Sequence, residues 1–366
     1  MSNYRTPILL APRLSANSTP IRELFERFNR YGEAVNLETQ GNISKLVVLG
    51  DIPEMSRNHV FPFVDYQYSG VSFLKQTIHA ISFLRSHSMG QICLIGGDIW
   101  IGGSQISLLN FLFASRTKTQ ISIHGIPNLT NNVIGGFLRR VYLRILFSKV
   151  DSIRVVSRQL ADFLNSNYKV DSRKCFVSPV PVVMPTTHSA QERNIDIAIV
   201  GRLHPERGIY ESMQILNLFA SMDRCPSIQF FGDGPLRQSL QAWRKSQPNH
   251  EMISLHGHLS NAQIAASLGL TRILLSCAPE EGYGLSLREA LVSGAYVVAR
   301  LNSGTLELSE RFPNAVFLFE SVPQAQELIS RLLANQIDSF DSGEIVTKQM
   351  FYDQSALKLL AVSWTR

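Results

Sequence analysis

Cysteine is scarce in this chain of 366 residues: Cys93, Cys175, Cys225 and Cys277 stand singly, with no metal-ligand spacing between them. That scatter suits a reducing cytoplasm. Long apolar runs are missing too. No stretch approaches the length that spans a bilayer. The first fourteen residues lack the apolar length of a signal peptide, and their short run Ile8–Ala11 reads as a first strand. There is no G-x-G-x-x-G fingerprint and no Walker lysine, so the glycines of Gly96-Gly97-Asp98 and Gly102-Gly103 read as loop glycines shaping a binding side. Sequence repeats of solenoid period are absent. A basic–aromatic platform is absent as well, so a nucleic-acid partner is not expected.

What remains is ordinary for a globular protein, with 45% hydrophobic and 17% charged residues. The length favours two domains over one core. Charge is uneven: residues 1–190 hold 20 Lys and Arg against 11 Asp and Glu, a net of +9, while residues 191–366 hold 15 against 18, a net of −3. A basic first half points to an anionic partner, either phosphates or a lipid surface.

Short apolar runs recur with helical segments between them. In the first half they are Ile8–Ala11, Lys45–Leu49, Ile92–Ile95, Ile121–His124, Ile153–Val156 and Phe176–Val180. In the second half they are Ile195–Val200, Ile228–Phe231, Ile253–Leu255, Ile273–Leu275, Tyr296–Ala299 and Val316–Phe319. Such alternation argues for parallel sheets wound with helices on both faces. Pro179, Pro181 and Pro185 lead into the polar connector 186–194, where a domain boundary is expected. The expected division is 1–188, 189–346, and a C-terminal helix over 347–366 crossing back to the first domain.

The most informative stretch runs from Glu281 to Glu289, Glu-Gly-Tyr-Gly-Leu-Ser-Leu-Arg-Glu. A buried strand precedes it, and the apolar spacing of Leu285 to Val292 predicts a helix packed on a sheet. Gly282 and Gly284 permit a tight turn and close approach by a ligand. A helix entered through glycines presents unpaired amides and a positive dipole end to an anion. Carboxylates suit hydroxyl-rich ligands and amides suit phosphates, so a nucleotide sugar satisfies both. Ser286-Leu287-Arg288-Glu289 also fits a capping box, in which Glu289 would serve the helix itself.

Glu281 and Glu289 at this spacing resemble the E-x7-E motif of the retaining glycosyltransferases usually numbered family four, of GT-B type. Gly201-Arg202-Leu203 with Glu206-Arg207-Gly208, Gly232-Asp233-Gly234-Pro235, His256-Gly257-His258 and Ser303-Gly304-Thr305-Leu306-Glu307 resemble further segments of that family, in the right order. The resemblance implies an α/β GT-B fold, two Rossmann-like doubly wound parallel-sheet domains facing a central cleft. It implies transfer of a sugar from a nucleoside-diphosphate sugar to a hydroxyl acceptor, in cell-envelope polysaccharide or glycolipid synthesis.

The implied catalytic residues are Glu281, His124, Arg202 and Arg207. Donor contacts fall on Gly201, Arg202, Arg207, Gly232, Gly234, His258, Glu281, Gly282, Tyr283, Gly284, Leu285 and Glu289. In the family, Glu289 binds both ribose hydroxyls, Glu281 meets the transferred sugar, and a histidine at the place of His124 approaches the donor sugar. Without the resemblance, a histidine ending a strand before Gly125 reads as structural. The family usually has lysine where Arg207 stands, and Arg keeps the charge with a different fork geometry. Many relatives have a glycine-rich loop after the first strand, whereas residues 11–18 contain no glycine, so no donor contact is assigned there. No Asp-x-Asp pair exists, so neither a bridging metal nor a cofactor is expected. A sugar-nucleotide epimerase of the same fold and an inactive binding subunit of an envelope assembly complex remain open alternatives.

Residues 132–149 pose a separate question. Arg140 and Arg144 share one helical face with Arg139 beside them, and Ile134, Phe137, Leu138, Val141 and Ile145 form an apolar stripe. One reading is a helix packed on its own sheet with arginines in water. The other is peripheral contact with an anionic membrane, at the inner face of the cytoplasmic membrane, near a lipid-linked acceptor.

Overall fold

The computed structural model describes residues 4–11, 14, 21–53, 61–86, 91–125, 133–184 and 193–366. It divides into two compact units, Met1–Pro181 with Asp353–Arg366, and Val182–Tyr352. The expected boundary at 188/189, within the connector, lies outside the described residues.

The first unit is built on β1 (Thr6–Ala11), β2 (Leu46–Gly50), β3 (Val64–Tyr68), β4 (Ile92–Gly96), β5 (Thr117–Ile123), β6 (Ser152–Val155) and β7 (Cys175–Val177). These pair in parallel in the order β3-β2-β1-β4-β5-β6-β7. Every residue of β2 and β4 is buried, as a sheet covered by helices on both faces demands. Strand β3, Val64-Asp65-Tyr66-Gln67-Tyr68, has no counterpart among the expected strands. It lies at the sheet edge and alternates buried with half-exposed positions, so it carries a charge and no continuous apolar run.

A buried polar group sits in the core of this unit. The Gln120 side chain on β5 donates to Ser152 Oγ at 3.0 Å and Ser363 Oγ at 3.1 Å, and accepts from the Trp364 indole N–H at 2.6 Å. Trp364, in the helix Ser342–Thr365, is fully buried and meets the Tyr31 ring edge-on at 5.8 Å. The terminal segment is thus part of this core, filling space while satisfying an amide that would otherwise be orphaned.

The second unit holds β8 (Ile195–Val200), β9 (Ile228–Phe231), β10 (Ile253–Leu255), β11 (Thr271–Ser276), β12 (Tyr296–Arg300) and β13 (Val316–Phe319), all parallel, in the order β10-β9-β8-β11-β12-β13. All six strands expected in this half are present. Ile273 pairs with Ile197, and Leu274 with Ala198, which places β8 and β11 side by side at the centre. Among the described residues no helix is long and apolar enough to cross a membrane.

Trp364→Ala is expected to destabilise the first unit by about 3–5 kcal/mol through loss of a buried aromatic side chain. The Gln120 carbonyl oxygen would also lose its donor. Urea unfolding of the full chain measures this, and a loss below about 1 kcal/mol would contradict the role assigned to the terminal segment.

Candidate active site

The order of the second sheet reverses between β8 and β11: the chain leaves β8 toward β9 and β10, then returns to the other side. Loops leaving the carboxyl ends of two such strands diverge, and open α/β sheets bind ligands in the crevice this creates. Here the loop after β8 carries Gly201, Arg202 and the short turn Pro205–Arg207, and the loop after β11 carries Cys277 to Gly284. They meet where Arg207 Nη1 donates to Glu281 Oε2 at 3.0 Å, with Glu281 12% exposed and Arg207 40%. A contact between backbones fixes this meeting. A Cβ on Gly208 would lie 1.9 Å from the Cys277 carbonyl oxygen, and Gly208 has φ +66°. Only glycine permits that approach in that conformation.

Glu281 is held from a third side. A Cβ on Gly304 would stand 2.0 Å from the Glu281 carbonyl oxygen, so the helix Ser303–Arg311 presses directly on this loop. Asn302 caps that helix by accepting from Thr305 N at 3.0 Å, and its own amide donates to the Ala278 carbonyl at 3.1 Å. Resemblance pointed to the 303–307 segment, but nothing in the sequence shows that Gly304 and Asn302 serve by bracing Glu281.

The helix Leu285–Val292 forms over the expected residues. Its N-cap is Gly284, in the left-handed conformation with φ +68°. Ser286 therefore lies in the first helical turn, and the capping box does not form; the glycine's conformational freedom moves the helix start two residues upstream. The amides of Leu285, Ser286 and Leu287 precede the first intrahelical bond, which runs from Arg288 N to Gly284 O at 3.0 Å. Glu289 is half-buried one turn further on.

Tyr283 is buried, and its contacts hold the turn. Arg288 Nε donates to the Tyr283 carbonyl at 3.1 Å, its guanidinium lies 4.1 Å from the Tyr283 ring centre, and Nη1 donates to Gln349 Oε1 at 3.3 Å. Gln349 in turn donates to the Tyr283 hydroxyl at 3.1 Å. Burial pushes the Arg288 pKa down, opposed by the Tyr283 and Tyr352 hydroxyls. Sixty-one residues separate Gln349 from Arg288, so sequence spacing could not reveal this brace.

Of the other expected donor residues, Gly201 has open space where a side chain would stand, and Arg202 extends into solvent, 3.9 Å from Glu206. Gly232 and Gly234 have a reason of their own to be glycine. Cβ atoms there would meet the Gly201 carbonyl oxygen at 1.9 Å and the Leu203 carbonyl oxygen at 2.6 Å. A backbone hydrogen bond joins the same two loops, Leu203 N to Asp233 O at 2.9 Å, and another, Gly232 N to Gly257 O at 2.8 Å, ties in the loop after β10. His258 follows Gly257 and is exposed, and Gly282 and Leu285 are half-buried.

His124 belongs to the first unit, exposed at the carboxyl end of β5. Surrounding atoms and the charges of Arg154 and Arg27 push its pKa down; its open surface limits that depression, and the direction leaves the imidazole neutral at pH 7. Gly96 is the last residue of β4, and Gly102 and Gly103 are not loop residues either. They sit in the first turns of the helix Ile101–Phe113, where a Cβ on Gly103 would crowd Leu146 at 2.9 Å. Asp98 caps that helix, accepting from Trp100 N and Ile101 N at 2.8 Å each. Residues 12, 13, 15–18 and 126–132, parts of two stretches read above, lie outside the described residues. Among the described residues no group of three or more His, Cys, Asp or Glu is placed to hold a metal ion.

Residues 185–348 match the family model described as "Glycosyl transferases group 1". The match takes in every strand of the second unit, β8 to β13. The Arg207–Glu281 pair and the glycine-capped helix both lie inside it. No curated protein matches the chain by sequence. Similar solved structures include sucrose-phosphate synthase from Thermosynechococcus elongatus, at 14% identity and TM-score 0.70, covering 98% of this chain and 97% of that one. HepE from Anabaena, solved with UDP, is similar at 13% identity and TM-score 0.65, covering 98% and 95%. TarM from S. aureus, solved as a variant with UDP and alpha-GlcNAc-glycerol, is similar at 15% identity and TM-score 0.55, covering 76% of this chain and 59% of the longer TarM chain. The fold is GT-B, an α/β fold with two doubly wound parallel sheets.

Gly208→Ala is expected to lower the melting temperature of the second unit, since the new methyl must displace the Cys277 carbonyl at a strained φ. Gly201→Ala lacks the clash, though it also has positive φ, and is expected to cost less. Differential scanning fluorimetry of both variants is the check, and equal melting points would contradict the contact's importance.

Proposed function

We propose that the chain is a glycosyltransferase that moves a hexosyl group from a nucleoside-diphosphate sugar to a hydroxyl acceptor with retention at C1, without a metal cofactor. The observation that carries this reading is the Arg207–Glu281 pair at the carboxyl ends of β8 and β11, beside a helix entered through Gly284. The two side chains neutralise each other. A diphosphate takes Arg207, with Arg202 at the same loop, and releases Glu281 toward the hydroxyls of the sugar. The amides of Leu285 and Ser286 add a positive dipole end for the phosphates. Glu289 binds the ribose hydroxyls.

Bond breaking between C1 and the diphosphate oxygen moves negative charge onto the phosphates and positive charge onto the sugar ring. Arg202, Arg207 and the helix amides stabilise the former as it develops. The acceptor oxygen attacks from the face the leaving group departs, and its proton passes to the leaving phosphate oxygen.

Two solved relatives carry UDP, which favours a uridine nucleotide. Another similar structure is that of the lipopolysaccharide outer core galactosyltransferase WaaB, which favours a carbohydrate or lipid-linked acceptor in envelope polysaccharide or glycolipid synthesis. A cytoplasmic site fits that role.

A thermal-shift screen of UDP-, GDP- and ADP-sugars tests the reading. A donor at 100 times its Kd is expected to stabilise by about 2.7 kcal/mol, and no response to any of them would overturn the proposal. Donor turnover without acceptor separates the alternatives: a transferase leaks hydrolysis, an epimerase releases a 2-epimer, and a binding subunit does neither.

Arg202→Ala and Arg207→Ala are each expected to cut kcat on the order of 100-fold, as loss of one contact to developing charge does. Normal turnover in both would end the diphosphate assignment. Glu289→Gln is expected to weaken nucleotide binding at least tenfold by calorimetry, the effect of losing a charge-assisted pair of hydrogen bonds to the ribose. Unchanged nucleotide affinity would remove Glu289 from the ribose site.

A further inference from the structure

The helix Val133–Lys149 does not bury the stripe that its sequence suggests. Its inward side is Gly136, Leu143, Leu146 and Phe147. The stripe of Phe137, Leu138, Val141 and Ile145 is exposed, with Phe137 at 65%, alongside exposed Arg140 and Arg144. Ile134 of that stripe has no described side chain. Arg139 is different: it is half-buried, with its guanidinium 5.0 Å from the Trp100 ring centre.

Two neighbouring helices extend this surface. Tyr142 OH lies 3.0 Å from Ser104 Oγ, joining the helix Ile101–Phe113 to Val133–Lys149. Gln105 Nε2 donates to Gln76 Oε1 at 3.3 Å, joining it to Phe73–Ser86. The middle helix has no charged residue, yet Leu108, Phe111 and Leu112 share one exposed side, with Phe111 83% exposed. Leu74 and Ile78 continue the apolar surface on the third helix. A recess of about 430 Å³ opens where the three helices meet, walled by Phe73, Trp100, Leu138 and Tyr142, with Arg139 and Ser104 at its sides.

Charge on these helices has one sign. They carry Lys75, Arg85, Arg139, Arg140, Arg144 and Lys149 and no Asp or Glu. No carboxylate side chain occurs between Asp98, which is occupied capping the middle helix, and Asp151. A protein partner of ordinary composition offers no reason for so complete an exclusion of acids. A sheet of phosphates over hydrocarbon does, because basic side chains seat on the headgroups while apolar ones reach the acyl boundary.

We propose that the face formed by the helices Phe73–Ser86, Ile101–Phe113 and Val133–Lys149 docks the first unit on an anionic lipid bilayer. Arg140, Arg144 and Lys75 meet lipid phosphates, and Phe111, Leu112, Phe137 and Val141 enter the interface. Arg139 stays on Trp100, holding a charge at the apolar surface instead of reaching into water. The docking needs no donor, so it stands or falls apart from the transferase reading.

Flotation of the full chain with vesicles of phosphatidylcholine alone, or mixed with phosphatidylglycerol, is the test. Binding is expected only with phosphatidylglycerol, falling as salt rises because the Debye length shrinks to about 8 Å at physiological ionic strength. Arg140→Gln with Arg144→Gln is expected to weaken binding about fivefold per charge removed. Phe111→Ser should weaken it while leaving the salt dependence intact. All three side chains are exposed, so a thermal melt should show these variants folded and as stable as the parent. No flotation with either vesicle, equal flotation with both, or variants that bind as the parent does would each overturn the proposal. So would a concentration-dependent dimer that Phe111→Ser abolishes, since a second copy would then cover this face.

Discussion

The approach of Gly208 to the Cys277 carbonyl is the constraint on which the second unit's site depends. Parallel strands at a point of reversed order send their loops in different directions, which opens a crevice but leaves nothing to register one loop against the other. Backbone touching backbone supplies that register. Once Gly208 rests on Cys277, Arg207 is one residue from the contact and Glu281 four, and their side chains can close at 3.0 Å. Gly304 pressing on the Glu281 carbonyl, and Asn302 tied to Ala278, fix the same loop from the other side. A charged pair with one partner 40% exposed adds little stability, so the pair reports the loop geometry more than it creates it.

The two units use positive charge differently. In the second, each arginine of the site has an acid within reach: Glu281 for Arg207 and Glu206 for Arg202. Such pairing leaves the charges of these two loops nearly balanced. On the first unit's three-helix face, arginine and lysine stand with no acid on the same helices. The exposed aromatic and aliphatic side chains between those charges add apolar area that water does not favour.

Much of the second unit was legible in its sequence, and the reason is local. Buried parallel strands need continuous apolar runs, and residues 197–200 and 273–275 supply them; the helix Leu285–Val292 needs only its own periodicity and a glycine in front. Edge strand β3 lacks such a run, because one side of Val64–Tyr68 is half-exposed and tolerates Asp65 and Gln67. Ser286 was a plausible cap by type, but a glycine able to adopt φ +68° started the helix earlier. Gly102 and Gly103 looked like loop residues for the same reason: a glycine required by packing and one required by a turn are spelled identically.

The sequence alone determined the alternation of strands and helices, the two-domain expectation, and a cluster of acids, arginines and glycines in a known order, since each rests on spacing within a few residues. Tertiary structure decided the rest. Spacing cannot say that Gly208 lies on a carbonyl 69 residues away, that Gln349 braces Tyr283, or that Trp364 fills the first unit's core, because those pairings depend on which strands become neighbours. Nor could periodicity say which stripe of Val133–Lys149 faces inward. Two apolar sides compete on that helix, and small Gly136 with Leu143, Leu146 and Phe147 fits its neighbours more closely, leaving Phe137, Val141 and Ile145 outside.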